Sequence, residues 1–230
     1  MPIIKEKDFY IHVVKLVLPV AVQSLITTGI NLMDTVMLGS FGELQLSASA
    51  LANQFVMLFQ IFCMGVGCGA AVLTAQYWGS KELSKLKQVM TLMFRIVLIA
   101  GTVCMLFVMG NSAWILSVYT KDEQVIMYGV KYMKILQYTL IFYAVSIVST
   151  QVLRSVKMMK IPMYSSCISF FLNIFFNYVF IFGKFGMPRL EIQGAAIGTL
   201  VARVFEMCFI MGYILFVDKK IWYRIKDLFR

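Results

Sequence analysis

Charge is the scarcest commodity in this sequence: Asp, Glu, Lys and Arg make up 14% of 230 residues, against about 25% in soluble domains. A soluble domain with so few charges, and 60% hydrophobic, could not cover its surface with polar groups. Histidine is nearly absent. His12 stands alone at a helix entrance, so neither a His-based catalytic group nor a transition-metal site has support. No nucleophile–His pair or metal-ligand cluster can be assembled, and no enzyme activity is expected. Cys63, Cys68, Cys104, Cys167 and Cys208 are scattered and form no CxxC, which excludes a secreted disulfide scaffold. All five fall in apolar runs, where they read as small buried hydrophobes. Acidic residues number 11 against 21 Lys and Arg, a net +10, but no RNA- or DNA-binding motif surrounds that charge. A nucleic-acid partner is therefore not expected. Low-complexity stretches and a convincing internal repeat are missing as well.

What the sequence has is long apolar runs, far longer than barrel strands, which point to an all-α integral membrane protein in the lipid bilayer. Six segments reach the roughly 20 residues that a helix needs to cross the hydrocarbon: Val13–Leu38, Ala50–Tyr77, Val89–Met109, Val125–Leu153, Pro162–Phe182 and Gln193–Val217. They leave no room for a separate soluble domain, so residues 1–230 read as a single six-transmembrane-helix bundle. The first run is too long for a cleaved leader, and Asn31 and Asp34 stand where a small-residue cleavage site would be. It is expected to remain in the mature protein.

The basic residues set the orientation. One set of segments carries Lys5, Lys7 and Lys15, then Lys81, Lys85 and Lys87, then Arg154, Lys157 and Lys160, then Lys219, Lys220, Arg224, Lys226 and Arg230. The opposite segments hold mainly Lys121, Lys184 and Arg189. The positive-inside rule predicts a multi-pass protein of the cell membrane with both termini in the cytoplasm. The basic surplus is thus a topology signal first and a lipid-headgroup attraction second.

Inside a bilayer the informative residues are the polar ones, because a mid-helix Asp costs about 2.5–3.5 kcal/mol on insertion scales. At 100° per residue, Gln23, Thr27, Asn31 and Asp34 share one face of the first span. Pro19 lies one turn below and removes a backbone donor, which predicts a bend there. Asp34 reads either as a cap near the end of its span or as a group facing a cavity. In the fifth span Ser169, Asn173 and Asn177 follow at i, i+4, i+8, as a ligand face or as a polar zipper. In the sixth, Thr199, Arg203 and Glu206 share a face, with Arg203 and Glu206 placed to form a structural ion pair.

At 1.5 Å rise per residue, Asp34, Asn177, Thr199 and Asn173 lie about 6–14 Å below the outer ends of their spans. A carboxylate, two amides and a hydroxyl at one level supply hard oxygen ligands suited to Na⁺, or a niche that tunes a proton-binding carboxylate. Spacing gives the depth but not whether the three faces meet. Gly65, Gly67 and Gly69 in the second span include a GxxxG pattern and predict close backbone packing there. Arg95, about two turns into the third span, is expected to snorkel.

The run Asn31-Leu-Met-Asp34-Thr-Val-Met-Leu-Gly39, then Ala71-Val-Leu-Thr-Ala-Gln76-Tyr-Trp-Gly79, resembles the opening of multidrug and toxic compound extrusion (MATE) transporters. So do Arg154 through Lys160-Ile-Pro162, Asn173 to Asn177-Tyr-Val-Phe-Ile-Phe-Gly183, Gly186-Met-Pro188 and Gly194-Ala-Ala-Ile-Gly-Thr199, in that order. The resemblance implies antiport of amphiphilic, mostly cationic drugs coupled to Na⁺ or H⁺, with no other cofactor. It places the family's first-span Asp on Asp34, its bending proline on Pro19, its fifth-span Asn on Asn173 and its sixth-span Thr on Thr199. Asn177 stands where many members carry a second carboxylate.

The family also implies two six-helix lobes. This chain would be the amino-terminal one: a fragment, a truncated product, or a half that pairs with another chain or with itself. A lipid-linked oligosaccharide flippase of the same superfamily is the alternative, with Arg95 and Arg203 as the only candidate cavity cations. A non-transporting half is the third reading.

Overall fold

The computed structural model describes residues 7–218 together with Ile221, Tyr223, Arg224 and Asp227. Lys5, Lys219, Lys220, Lys226 and Arg230, which enter the charge reading above, lie outside the described residues, as do the side chains of Lys7 and His12. The described residues form seven α-helices and no strand: α1 (Lys7–Gly39), α2 (Glu43–Gly79), α3 (Leu83–Ser117), α4 (Glu123–Leu136), α5 (Thr139–Ser155), α6 (Lys160–Phe182) and α7 (Ile192–Gly212). A π-helical turn at Tyr213–Val217 continues α7. Among the described residues five helices are long and apolar enough to span a membrane, or six where the bent pair α4–α5 is counted as one span.

The fourth span is the main departure from the sequence reading, which expects one helix over 125–153. Its two halves meet at 54°. The Thr139 hydroxyl bonds the Leu136 carbonyl at 2.6 Å, and the Gln137 amide bonds the Lys134 carbonyl at 3.0 Å. These side chains compete for carbonyls at the junction, which is how Ser and Thr bend helices. Asp122 starts the pair by capping the backbone N–H groups of Gln124 and Val125. A lesser irregularity lies in α3, where Asn111 leaves helical geometry and its side-chain amide bonds the Phe107 carbonyl at 3.1 Å.

Short connections make successive spans antiparallel, so α1 and α6 run the same way. Their register is uniform, since Gln23 meets Ser166 and Asp34 meets Asn177, each pair 143 positions apart. The partner of α6 on its other side is α7, antiparallel, with Ser169 against Ala202 and Ser165 against Glu206. Gly194 and Gly198 make that approach close: a Cβ at Gly194 would lie 2.6 Å from the Phe180 carbonyl, and one at Gly198 would collide with the Asn177 side chain. Small-residue contacts thus lie on α7 and, of Gly65, Gly67 and Gly69 in α2, at Gly67 alone. Gly65 and Gly69 have no atom within 4 Å of a built Cβ; Gly67, between them, packs on Gln151 of α5. Two faces of α2 carry glycine, and sequence spacing alone does not say which one meets a neighbour.

The apolar core lies among α2, α3, α4, α5 and α7, with Phe94, Leu116, Tyr132, Leu140 and Ile210 fully buried. Leu25, Leu32, Ile99, Phe171 and Phe216 are exposed on the outside of the bundle, as lipid-facing residues must be. Of the cysteines only Cys63 is buried. Cys104 and Cys167 are half-buried and Cys68 and Cys208 exposed, with Cys68 Sγ accepting from the Gln151 amide at 3.0 Å, so four of the five are not the buried hydrophobes that the sequence suggests.

Candidate functional site

α1 leans on α6 and leaves a cleft on its α2 and α5 side. Polar groups gather along α1 at two levels, about 17 Å apart for the 11 residues from Gln23 to Asp34.

The upper level is the niche expected from depth, and the faces of α1, α6 and α7 converge there. Asp34 is 9% exposed, while Asn173 and Asn177 are fully buried. The Asn177 amide donates to Asp34 Oδ1 and to Asn173 Oδ1, the latter at 3.2 Å. Thr199 donates to Asp34 Oδ2 at 3.5 Å and accepts from the Asn173 amide at 3.5 Å. Asp34 is therefore not a helix cap; its two oxygens are taken by side chains of other helices. This network fixes the Asn177 amide, since turning it over would set its oxygen against the carboxylate. Asn177 Oδ1 is left buried with no hydrogen-bond partner among the described residues, facing Gly198. The niche therefore gathers a carboxylate, two amide oxygens and a hydroxyl, hard oxygen groups of the type that Na⁺ accepts.

Asp34 also borders a cleft of about 420 Å³ shared with Asn31, Thr35, Asn53, Gln54 and Gln60, so the niche opens between α1 and α2. The Tyr132 hydroxyl, reaching from α4, donates to Asn53 Oδ1 at 3.4 Å.

The lower level holds Gln23, Arg154, Ser166, Arg203 and Glu206. The Arg203 guanidinium pairs with Glu206 Oε2 at 2.8 Å and lies 5.0 Å from the Tyr143 ring centroid, the structural pair that the i, i+3 spacing predicts. Ser166 donates to Glu206 Oε1 at 3.2 Å and accepts from the Gln23 amide at 3.0 Å. Gln23 and Thr27 line a second cleft of about 270 Å³, whereas Asn31 lines the upper one, so the α1 stripe serves two cavities. A void of about 10 Å³ between Ser169, Asn173, Thr199 and Arg203 links the two levels and has room for about one water. Pro19 is buried, and the α1 helix is continuous through it.

Sequence reasoning missed Arg154. Its charge places it with the basic connecting segments, yet it belongs to α5 and its guanidinium bonds Gln23 Oε1 at 2.6 Å inside the lower cleft. The available signal was spacing: Ser146, Thr150 and Arg154 follow at i, i+4, i+8. Arg95, by contrast, borders a separate pocket with Lys87, Thr91 and Asp227 and does not line either cleft of α1.

Known proteins match the chain in sequence and in fold. The MatE family model matches residues 19–179. The probable multidrug resistance protein NorM of Thermotoga maritima is 28% identical over 206 residues, covering 89% of this chain and 44% of that protein. The probable multidrug resistance protein YoeA of Bacillus subtilis is 30% identical over 172 residues, covering 73% of this chain and 37% of that protein. A MATE crystal structure in the bent conformation superposes with a TM-score of 0.83 at 21% identity, over 93% of this chain and 47% of that one. The chain thus spans about half the length, or less, of the proteins it matches. Its motifs, its helical fold and the matched family model together place it: the chain belongs to the MatE family, the multidrug and toxic compound extrusion transporters.

Proposed function

We propose that this chain acts as one six-helix lobe of an antiporter that exports amphiphilic, mostly cationic compounds against inward flow of Na⁺ or H⁺. The observation that carries the reading is the convergence of Asp34, Asn173, Asn177 and Thr199 on one buried niche with an unpaired acceptor. The naming of relatives as multidrug resistance proteins supports the export part. A second lobe, from the same gene, another chain or a second copy, completes the cavity, and the basic residues near the 80–82 and 156–159 connections face the cytoplasm in the cell membrane.

In this mechanism the cation is cargo. Na⁺ or H⁺ at Asp34 competes with the two hydrogen bonds that now tie α1 to α6 and α7. Releasing them lets α1 bend at Pro19, where the helix already lacks the bond to the Lys15 carbonyl. The cation shifts the lobe only through its different affinity for the straight and bent forms, and an organic cation in the clefts favours the other form. The walls suit varied lipophilic cations, because Met57 and Met64 repack readily.

A flippase would need a basic cavity. Arg203 is neutralised by Glu206, and the remaining basic residue in the α1 clefts is Arg154, so the exporter reading is the better supported. The test is accumulation of a fluorescent organic cation in inside-out vesicles holding the complete two-lobe transporter. An imposed Na⁺ or H⁺ gradient should drive it, and Asp34→Asn should abolish the gradient dependence. Unchanged gradient-driven transport in that variant would overturn the role given to Asp34.

A further inference from the structure

In the lower cleft the Arg154 guanidinium has no acidic partner among the described residues. Of the cleft's other ionisable groups, Arg203 and Glu206 neutralise each other, and both oxygens of Glu206 are occupied, by Arg203 and by Ser166. Arg154 bonds only neutral partners, Gln23 Oε1 at 2.6 Å and Gln151 Oε1 at 3.4 Å, and its Nε is buried with no partner among the described residues. Two turns along the same face of α5 stands Ser146, 3% exposed, whose hydroxyl is also buried without a partner. Thr150, between them, completes a ladder of three donors that lines one cavity of about 270 Å³. Arg154 is half-buried in the last turn of α5, and an anion in the cleft would give its guanidinium the counter-charge that it lacks among the described residues.

We propose that the cleft beside Arg154 is a subsite for the acidic group of an amphiphile, a carboxylate or a phosphate on an apolar body. It rests on the reading of these clefts as substrate space, and extends that reading to amphiphiles that carry an acidic group beside their apolar or cationic part. The acid takes the Arg154 guanidinium, which is planar and forked as carboxylate and phosphate recognition requires. Ser146 and Thr150 offer hydroxyls to its remaining oxygens, and Ile147 and Met64 receive the apolar body. Glu206 cannot serve as the counter-ion in its place, because freeing it would strand Arg203.

Native mass spectrometry of the chain in detergent tests this with four probes: 1-pyrenebutyrate, its methyl ester, a pyrenebutyl trimethylammonium and phosphatidylglycerol. The carboxylate should bind about tenfold more tightly than its ester, the scale of one charge-assisted contact. Arg154→Gln should erase that preference, and Ser146→Ala, which leaves the Arg154–Gln23 tie between helices intact, should reduce it severalfold. Lys131→Gln, removing an exposed cation on α4, should leave it unchanged. If phosphatidylglycerol binds through Arg154 and the pyrene carboxylate does not, the acid belongs to a lipid headgroup. Equal binding of acid and ester, or a preference that survives Arg154→Gln, overturns the subsite. Failure of every probe, the trimethylammonium included, overturns the substrate-space reading itself and not the subsite alone.

Discussion

Gly198→Ala tests the niche through its packing rather than its charge. A Cβ at this position would lie 3.0 Å from the Asn177 Cγ and 3.0 Å from its backbone nitrogen, and would overlap Oδ1. Either α7 moves away from α6 or Asn177 rotates, and rotation withdraws its amide from Asp34 and Asn173. Overpacking costs about 1–3 kcal/mol, and losing a hydrogen bond to a charged group about 1.5–3 kcal/mol. Gly65→Ala is the natural control, because it carries the same gain in helix propensity and meets nothing within 4 Å. The difference between the two variants therefore isolates the contact, at about 2–4 kcal/mol. In a chain of this size that is a Tm difference on the order of 5–10 °C. The assay is thermal unfolding of both variants in the same detergent, followed by circular dichroism. Equal melting temperatures would refute the close α6–α7 contact and, with it, the fixed orientation of the Asn177 amide.

Breaking the Arg203–Glu206 pair on one side, with Glu206→Gln, should destabilise the bundle by about 3 kcal/mol, because it leaves a buried guanidinium uncompensated. Arg203→Met combined with Glu206→Leu should recover most of that loss in the same unfolding assay, and a double variant worse than either single one would contradict the pairing. Thr139→Val removes the hydroxyl that holds the Leu136 carbonyl and should reduce the 54° bend, read as a lengthened distance between spin labels placed in α4 and α5. Asp122→Ala should cost about 1 kcal/mol through loss of the α4 cap, visible as a small fall in Tm.

The helical class, the number of spans and the level of the niche were legible because each follows from one-dimensional arithmetic. Apolar run length fixes the spans, and residues counted inward from a helix end fix the depth of Asp34, Asn173, Asn177 and Thr199. Convergence is three-dimensional. The i, i+4, i+8 face of α6 could have packed against any neighbour, and only the shared 143-residue register with α1 brings it to Asp34. The bend at 137–139 escaped because its cause is two side chains capturing local carbonyls inside an unbroken apolar run. Of Gly65, Gly67 and Gly69 in α2, Gly67 meets a neighbour and the other two do not, because a motif states that a face can approach closely, not that something stands opposite it. Arg154 was hidden by its charge, which reads as a loop residue until the face it shares with Ser146 and Thr150 is drawn.

The central claim, that Asp34 is the site where the coupling cation enters the lobe, can be read directly by carbodiimide labelling of the membrane-embedded carboxyls with mass-spectrometric localisation. Glu206, held by Arg203 and Ser166, serves as the internal reference. Labelling at Asp34 should change with Na⁺ concentration or with pH and should respond to an added lipophilic cation, while labelling at Glu206 stays constant. Labelling of Asp34 that is indifferent to Na⁺, pH and the organic cation alike would contradict the account.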